Sequence, residues 1–430
     1  MSQGQDDTIF ALSSGAPPAG IAVIRISGPQ ARIALQALAH RVPTPRTASL
    51  ALLKDPRDGS PLDRALLLWL PGPNSVTGED MVELHCHGGR AVIAAVEDAL
   101  AAMPGLRRAQ AGEFTRRAFA HGRMDLNAVE GLSDLLAAET QGQRRAALLM
   151  AEGHFSRRID GWRDELLTLS AMAEAALDFS DEDDVPDDAI EARIGQGIAA
   201  LARDVHVILA APSAERLRDG VRVVLAGPPN AGKSTLLNAL VGRDAAIVSD
   251  IAGTTRDRIE VPAAIGGTAF LFTDTAGLRD ETNDAIEAIG IDRAHAALEA
   301  ADIILWLGEA DALPRADAIL IAAQSDRGEA ARPGLSLSAR TGEGMAVLID
   351  TLLSRAAALL PGEGDYALHA RQRQQVGQLN AHLDAAAATR DLLVAAEELR
   401  LCRAAIDALT GQAGTEDMLD RLFSGFCIGK

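Results

Sequence analysis

An apolar run, Arg222-Val223-Val224-Leu225-Ala226, leads straight into Gly227-Pro228-Pro229-Asn230-Ala231-Gly232-Lys233-Ser234 and then into the helical pattern Thr235-Leu236-Leu237-Asn238-Ala239-Leu240. The spacing is GxxxxGK[ST], and its order of strand, glycine loop and helix constrains the chain more than any other feature. Glycines in the loop let backbone N–H groups close around phosphate oxygens, and the helix N-terminus adds its partial positive charge. In that geometry Lys233 reaches the β and γ phosphates of a nucleotide and Ser234 holds Mg²⁺. A strand feeding such a loop belongs in a mostly parallel sheet with helices on its faces.

Two further elements follow in the order such a site requires. Ala269-Phe270-Leu271-Phe272-Thr273 reads as a second apolar strand and ends at Asp274-Thr275-Ala276-Gly277. A carboxylate at that strand end suits a Mg²⁺-linked Asp274, and Gly277 lets its N–H approach a γ-phosphate. Between the two strands lies Gly253-Thr254-Thr255-Arg256-Asp257, where Thr255 can complete the Mg²⁺ shell. The three elements together describe a nucleotide switch.

The strand-and-helix rhythm runs from about 220 to 360, with helical periodicity on both sides of it. Leu126, Val129, Leu132, Leu135 and Leu136 open an Ala-rich helical stretch to about 177, with Gly142 and Gly153 as loops or mid-helix residues. The acidic run 178–188 reads as a solvated connection, and helix resumes over about 189–217 and again from about 367. This arrangement predicts an α/β block inserted into a helical domain. Before it, Gly20–Ile26, Ala65–Leu70 and Met81–His85 read as strands of an α+β region ending near 122. The expected division is 1–122, 123–217, 218–362 and 363–430.

A net charge of −19 excludes a chain that coats nucleic acid by bulk electrostatics, so any RNA contact needs a local basic patch. Arg107-Arg108, Arg116-Arg117 and Arg144-Arg145 are candidates, with solvated surface charge the blander reading. The start, Met1 to Asp7, is polar and acidic, unlike a targeting segment, and no apolar run of roughly 20 residues stands out. A cytoplasmic protein with no membrane partner is expected. Cys86, Cys402 and Cys427 form no CxxC pair. His85-Cys86-His87 invites a metal reading, but in a strand the two histidines share one face and Cys86 takes the other, which favours packing.

From here the chain resembles the Ras-like, translation-factor class of GTPases. That class reads guanine with Asn-Lys-x-Asp and then Ser-Ala-Lys or a variant. The second element stands as Ser338-Ala339-Arg340, whereas the first is degraded to Ala323-Gln324-Ser325-Asp326. Asp326 retains the carboxylate that accepts from the guanine edge, and the loss of the Asn and Lys should weaken nucleotide binding. The resemblance makes the nucleotide GTP and implies contacts from Asn230, Ala231, Gly232, Lys233, Ser234 and Thr235. It adds the 249–255 loop (Ser249, Asp250, Ile251, Ala252, Gly253, Thr254, Thr255), the 274–277 loop (Asp274, Thr275, Ala276, Gly277) and Asp326, Ser338, Ala339 and Arg340.

The flanking regions resemble the MnmE family of tRNA wobble-uridine modification GTPases. The resemblance lies in Thr8–Ala11 through Arg25–Gly28, in Gly72–Asp80, in Gly112–Phe119 and in the tail Phe423-Ser424-Gly425-Phe426-Cys427-Ile428-Gly429-Lys430. It implies work at carbon 5 of the wobble uridine with a flavin-dependent partner, the MnmG protein, and a one-carbon unit from 5,10-methylene-tetrahydrofolate. It implies a homodimer through the N-terminal domain, and potassium bound at Asn230, Ser249, Ile251 and Thr254. Mg²⁺ would sit on Ser234 and Thr255. Glu287 matches the water-activating glutamate and joins Lys233, Thr255 and Gly277 as catalytic candidates. Arg25, Glu83, Arg123 and Lys430 match the folate positions, and Cys427 is expected to pack with the tail. The rival readings are a ribosome-assembly or signalling GTPase and a folate enzyme whose GTPase has decayed.

Overall fold

Alternating burial organises the N-terminal strands. In the computed structural model, β2 (Ala19–Ser27) turns Ala22, Ile24 and Ile26 inward, and β5 (Met81–Gly88) does the same with Val82, Leu84 and Cys86. With β1 (Thr8–Leu12), β3 (Ser49–Lys54), β4 (Pro61–Leu70) and β6 (Leu106–Arg108) they form a six-stranded sheet in the order β3-β4-β5-β2-β1-β6. Every pairing is antiparallel except β1 with β6. Helices α1 (Ala31–Ala39) and α2 (Arg90–Ala101) share the core on one face with Phe10, Leu53, Leu67 and Trp69. The other face carries Arg25, Glu83 and His85 together with exposed Ile21, Leu50, Leu52 and Leu66.

The structure describes residues 7–178, 187–244, 246–247, 260–274, 295–327, 333–362, 364–412 and 416–430. The chain divides into two compact units, Met1–Ser133 with Thr410–Lys430, and Asp134–Leu409. In the first, α3 (Glu113–Ala120), the start of α4 (Leu126–Ala137), and the C-terminal helix Glu416–Ser424 with the residues just after it pack through Phe119, Val129, Phe423 and Phe426.

The second unit holds a helical bundle and a sheet. The bundle is built from α5 (Gln141–Ala151), α6 (His154–Asp178), α7 (Asp187–Ala210) and the later helices α11 (Ala370–Ala388) and α12 (Leu392–Thr410). Phe155, Ile159, Trp162, Leu166 and Leu169 fall at helical spacing on α6. They share one core with Ile194, Ile198, Leu201 and Val205 of α7 and with Val376, Leu379, Leu383, Leu399 and Ile406. Chain segments before and after the sheet therefore close a single core, which is the insertion read from the sequence. Arg373 of α11 ties the two segments again by donating to the Leu209 and Ala211 carbonyls at the end of α7. The stretch Ile190–Asp219 is long and apolar enough to cross a membrane by composition; on α7, Ile194, Ile198, Leu201 and Val205 are buried in the bundle, while Val207 is exposed. Gly142 lies inside α5, and Gly153 makes the turn before α6 at φ 71°. The acidic run falls mainly outside the described residues.

From α8 (Ala214–Asp219) the chain enters β7 (Val221–Ala226) and then α9 (Lys233–Asp244). The sheet order is β13-β12-β11-β7-β10-β9-β8, with β8 (Ala246–Ile247), β9 (Glu260–Ile265), β10 (Thr268–Asp274), β11 (Ile303–Trp306), β12 (Ile319–Ala323) and β13 (Leu335–Leu337). The five strands from β13 to β10 are parallel, and β9 and β8 are antiparallel additions. Helix α10 (Met345–Ala357) packs Leu348 and Leu352 into the sheet core. Gln143 links bundle to sheet: it completes the capping box of α5 with Thr140 and donates to the Leu217 carbonyl just ahead of β7.

Leu383 is fully buried among the bundle helices. Leu383→Ala should lower unfolding free energy by about 3 kcal/mol in urea titrations, the usual cost of a large-to-small core change.

Candidate nucleotide site and a second polar site

The C-terminal ends of β7, β10, β11, β12 and β13 lie at one edge because these strands run parallel. Gly227 leaves β7 at φ 147°, and a Cβ there would come 3.0 Å from the Leu307 backbone, so only glycine fits. Asn230 and Gly232 turn the loop at φ 62° and 94°. Lys233 is buried, and its Nζ donates to the Gly227 and Pro228 carbonyls at 3.0 and 2.9 Å. The Ser234 hydroxyl donates to Asp274 Oδ2 at 2.5 Å, joining the phosphate loop to the end of β10. Hydroxyl and carboxylate converge as two hard oxygen donors, a set that suits Mg²⁺. Thr235 is exposed beside them on the first turn of α9, and Ala231 is half-buried in the loop.

Further along the same edge, β12 and β13 present the base-reading candidates. Asp326 Oδ1 accepts from the fully buried Ser338 hydroxyl at 2.8 Å, and Ser338 Oγ in turn accepts from the Thr341 N–H. Asp326 is exposed, as is Arg340, with half-buried Ala339 between Arg340 and Ser338. Ser249, Asp250, Ile251, Ala252, Gly253, Thr254, Thr255, Thr275, Ala276, Gly277 and Glu287 lie outside the described residues.

The folate candidates lie on the open sheet face of the first unit, where Arg25 and Glu83 stand directly opposite each other on β2 and β5. Arg25 Nη2 and Nε donate to Glu83 Oε1 at 2.8 and 3.1 Å, and His85 Nε2 lies 3.3 Å from the other oxygen. Burial pushes the Glu83 carboxyl up, but the hydrogen bond and charge of Arg25, with His85, outweigh it and hold the group below its ordinary value. The Arg25 guanidinium sits 5.8 Å from the centre of the Phe114 ring. The tail docks next to these strands: Ile428 bridges to Ala111, and a Cβ on Gly429 would meet the Leu12 carbonyl at 2.2 Å. A Cβ on Gly112 would likewise strike the Phe423 carbonyl at 2.3 Å. Lys430 is half-buried at the tip, and its N–H donates to the Cys427 carbonyl. Arg123 is exposed beside Gly78. No hydrogen bond among the described residues joins Arg123 or Lys430 to the Arg25–Glu83 pair.

Two family models match the chain, one described as GTP-binding protein TrmE N-terminus over residues 8–123 and one as MnmE helical domain over residues 126–427. Among curated relatives, the tRNA modification GTPase MnmE of Rhizorhabdus wittichii is 60% identical over 428 residues, covering 99% of this chain and 97% of its own. That of Novosphingobium aromaticivorans is 57% identical, covering 99% and 100%. The chain belongs to the MnmE family. Among solved structures, the G domain of the T. maritima FeoB iron transporter is similar at 22% identity and a TM-score of 0.24, covering 32% of this chain and 98% of its own. A likeness of that size carries no weight beside the family match.

Several residues of this MnmE-family chain play parts that sequence reading missed. Arg117 was a candidate RNA contact or surface charge, but it is buried and bonds Asp7, Glu79 and Glu113. Arg107 pairs with Asp7 and Glu113, Arg108 with Glu97 and Asp98, and Arg116 with Asp420. The spacing of Glu113 four residues ahead of Arg117 was the one available signal. Glu79 continues the network to Ser27 and through it to Thr77. Anchoring Glu113 also fixes the start of α3, and with it Phe114 under Arg25. Cys427 is exposed, and the tail packs through Phe423 and Phe426 instead. Cys86 is buried on the core face, with its thiol pushed up to about 12 by burial. His85 and His87 bond carboxylates on the opposite face. No metal-ligating cluster of three His, Cys, Asp or Glu occurs among the described residues.

Burial raises the Asp7 and Glu113 carboxyls, but hydrogen bonds and charges from Arg107 and Arg117 win and lower both. Groups lowered on folding add stability above the ordinary carboxylate range and lose it as pH falls through the folded values. Thermal melts should therefore show the first unit losing stability below about pH 4. Arg117→Met should cost about 3 kcal/mol at pH 7, read from urea titrations, because it leaves buried carboxylates without their cation.

Proposed function

We propose that this protein hydrolyses GTP and couples the cycle to modification of the wobble uridine of tRNA; its relatives are named tRNA modification GTPases. The observation that carries this reading is the Lys233, Ser234 and Asp274 constellation at one sheet edge, with Asp326 held by Ser338 along the same edge.

In this reading water attacks the γ-phosphorus in line, the bond to the β–γ bridging oxygen breaks, and GDP and phosphate leave. Lys233 moves from the loop carbonyls to the β and γ oxygens and neutralises charge there. The Ser234 hydroxyl, with Asp274 behind it, and Thr255 would hold Mg²⁺, which would supply charge stabilisation to the phosphates. Asn230 with Ser249, Ile251 and Thr254 is assigned to a potassium ion. Glu287 is assigned to orienting the water and taking its proton, with Gly277 and Thr255 sensing the γ-phosphate. Asp326 accepts from the guanine edge, and Ser338 keeps its carboxylate turned toward that edge.

For the modification step, the reading gives the Arg25–Glu83 pair to a tetrahydrofolate derivative. A half-buried carboxylate suits the amino-pyrimidine edge of a pterin, and Arg123 and Lys430 suit its anionic tail. The bound folate supplies a one-carbon unit. The exposed Ile21, Leu50, Leu52 and Leu66 on the same sheet face support pairing with a second copy of the chain. A flavin-dependent MnmG partner, a cytoplasmic location and the four-part division at 122, 217 and 362 complete the proposal.

Purified protein should turn over GTP well above ATP, faster in potassium than in sodium buffer, and Lys233→Ala should abolish turnover. Turnover indifferent to potassium would remove the cation assignment, and ATP preference would remove the role of Asp326. Ser338→Ala should weaken GDP binding about fivefold in calorimetry, one oriented hydrogen bond's worth.

A further inference from the structure

Arg123 is exposed, and among the described residues its guanidinium makes no hydrogen bond, so whatever fixes it acts through its backbone and its stem. The end of α3 sets the backbone. Gly122 turns at φ 65° and its N–H donates to the Phe119 carbonyl at 3.0 Å, while the Arg123 N–H donates to the Ala118 carbonyl at 2.8 Å. This pair of bonds closes the helix with Arg123 as the second residue past its cap. The cap residue, His121, is tied to the loop ahead of β5, with its Nδ1 lying 2.8 Å from the Thr77 carbonyl. A carbonyl oxygen only accepts, so Nδ1 carries the proton and donates.

The loop that receives this bond is itself held from beneath. Thr77 is fully buried, and its hydroxyl lies 2.7 Å from that of Ser27. Arg117 donates to both oxygens of Glu79, whose carboxylate also accepts from the Ser27 hydroxyl at 2.7 Å. Thr77 is then left to donate to Ser27, and the Glu79 N–H closes the ring onto Thr77 Oγ1 at 3.3 Å. Gly78, at φ 82°, lies against the end of α3. A Cβ there would come 2.8 Å from the His121 Cβ and 3.4 Å from the Arg123 Cγ. The Arg123 stem therefore rests on Gly78, while His121 pins the carbonyl just before it.

Two elements carry this assembly to the Arg25–Glu83 pair. Ser27 stands two residues beyond Arg25 on the same face of β2, about 7 Å along the strand. Phe114 lies beneath Arg25, and α3 brings His121 about 10 Å further along the helix axis. Strand and helix together hold Arg123 at one separation from the pair. A folate carries its pterin and its acidic glutamate at opposite ends of a rigid aminobenzoyl group, so a site that reads both must keep its two ends at a fixed spacing. We propose that His121 is a positioning residue, whose bond to Thr77 sets Arg123 where it meets the glutamate carboxylates of a folate with its pterin at Arg25 and Glu83. This rests on the folate reading above. His121 acts through Arg123 alone: a placed guanidinium loses little side-chain freedom when the tail arrives, whereas a loose one must be ordered first.

The test is calorimetry on the full chain with 5-formyl-tetrahydrofolate and with 5-formyl-tetrahydropteroate, which lacks the glutamate. Wild type should bind the glutamate-bearing ligand about tenfold more tightly, the worth of one charge-assisted hydrogen bond. His121→Ala, a change at an exposed position, should weaken that ligand about three- to tenfold and leave the pteroate form bound as in wild type. His121→Asn puts an amide N–H where Nδ1 stood and should restore the wild-type difference. In the double variant His121→Ala with Arg123→Ala, the loss should equal that of Arg123→Ala alone, because one residue acts through the other. Additive losses would overturn the proposal, as would a His121→Ala protein that binds both ligands like wild type. Equal weakening of both ligands would also sink it, since His121 would then serve only the fold. Wild type that binds neither ligand, or binds both as well after Glu83→Gln, would remove the folate reading itself, and this assignment with it.

Discussion

Parallel pairing of β7 with β10 on one side and β11 on the other carries the nucleotide site, because it brings the C-terminal ends of these three strands to the same edge. Register does the rest. Asp274 stands opposite Leu225, two residues ahead of Gly227, so the carboxylate arrives level with the phosphate loop and meets Ser234 on the first turn of α9. On the other side, β12 and β13 end level with each other, with Ala323 opposite Leu337, and this lets Ser338 reach Asp326. A shift of one residue in either ladder would turn these side chains to the other face of the sheet.

The N-terminal unit uses antiparallel register to a similar end. Arg25 opposite Glu83 places two charges on the face that the helices leave open, where each lowers the cost of half-burying the other. Around them a second set of charges is buried more deeply. Arg117, Glu79, Asp7, Glu113 and Arg107 join β1, β6, the loop ahead of β5 and α3, and so hold Phe114 beneath Arg25. Side chains of opposite sign from four chain segments satisfy one another there, which is the condition for burying any of them.

Much of this was open to sequence reading. The phosphate loop announces itself because its backbone conformation demands glycines at particular spacings, and Gly227 and Gly232 do sit at positive φ. The strands β2, β4 and β5 and the helices of the bundle follow from periodicity, and the continuation of helical pattern beyond residue 367 indicated the insertion. Arg117 and Cys427 went the other way. A charged residue beside another arginine reads as surface, and an apolar-flanked cysteine reads as packed, because neither pattern records what comes back from far along the chain. Arg117 meets Asp7 and Glu79 over separations of 110 and 38 residues.

By itself, then, the sequence determined what each segment can do locally: which stretches pair as strands, where glycine alone can turn the chain, and which side chains carry phosphate and cation chemistry. Tertiary structure decided which of those chemistries meet. Ser234 finds Asp274, Ser338 finds Asp326 and Arg25 finds Glu83, each through strand order and register. Such contacts close between residues distant in sequence, and no local propensity encodes them, since their partners are chosen only when the sheets and the bundle assemble.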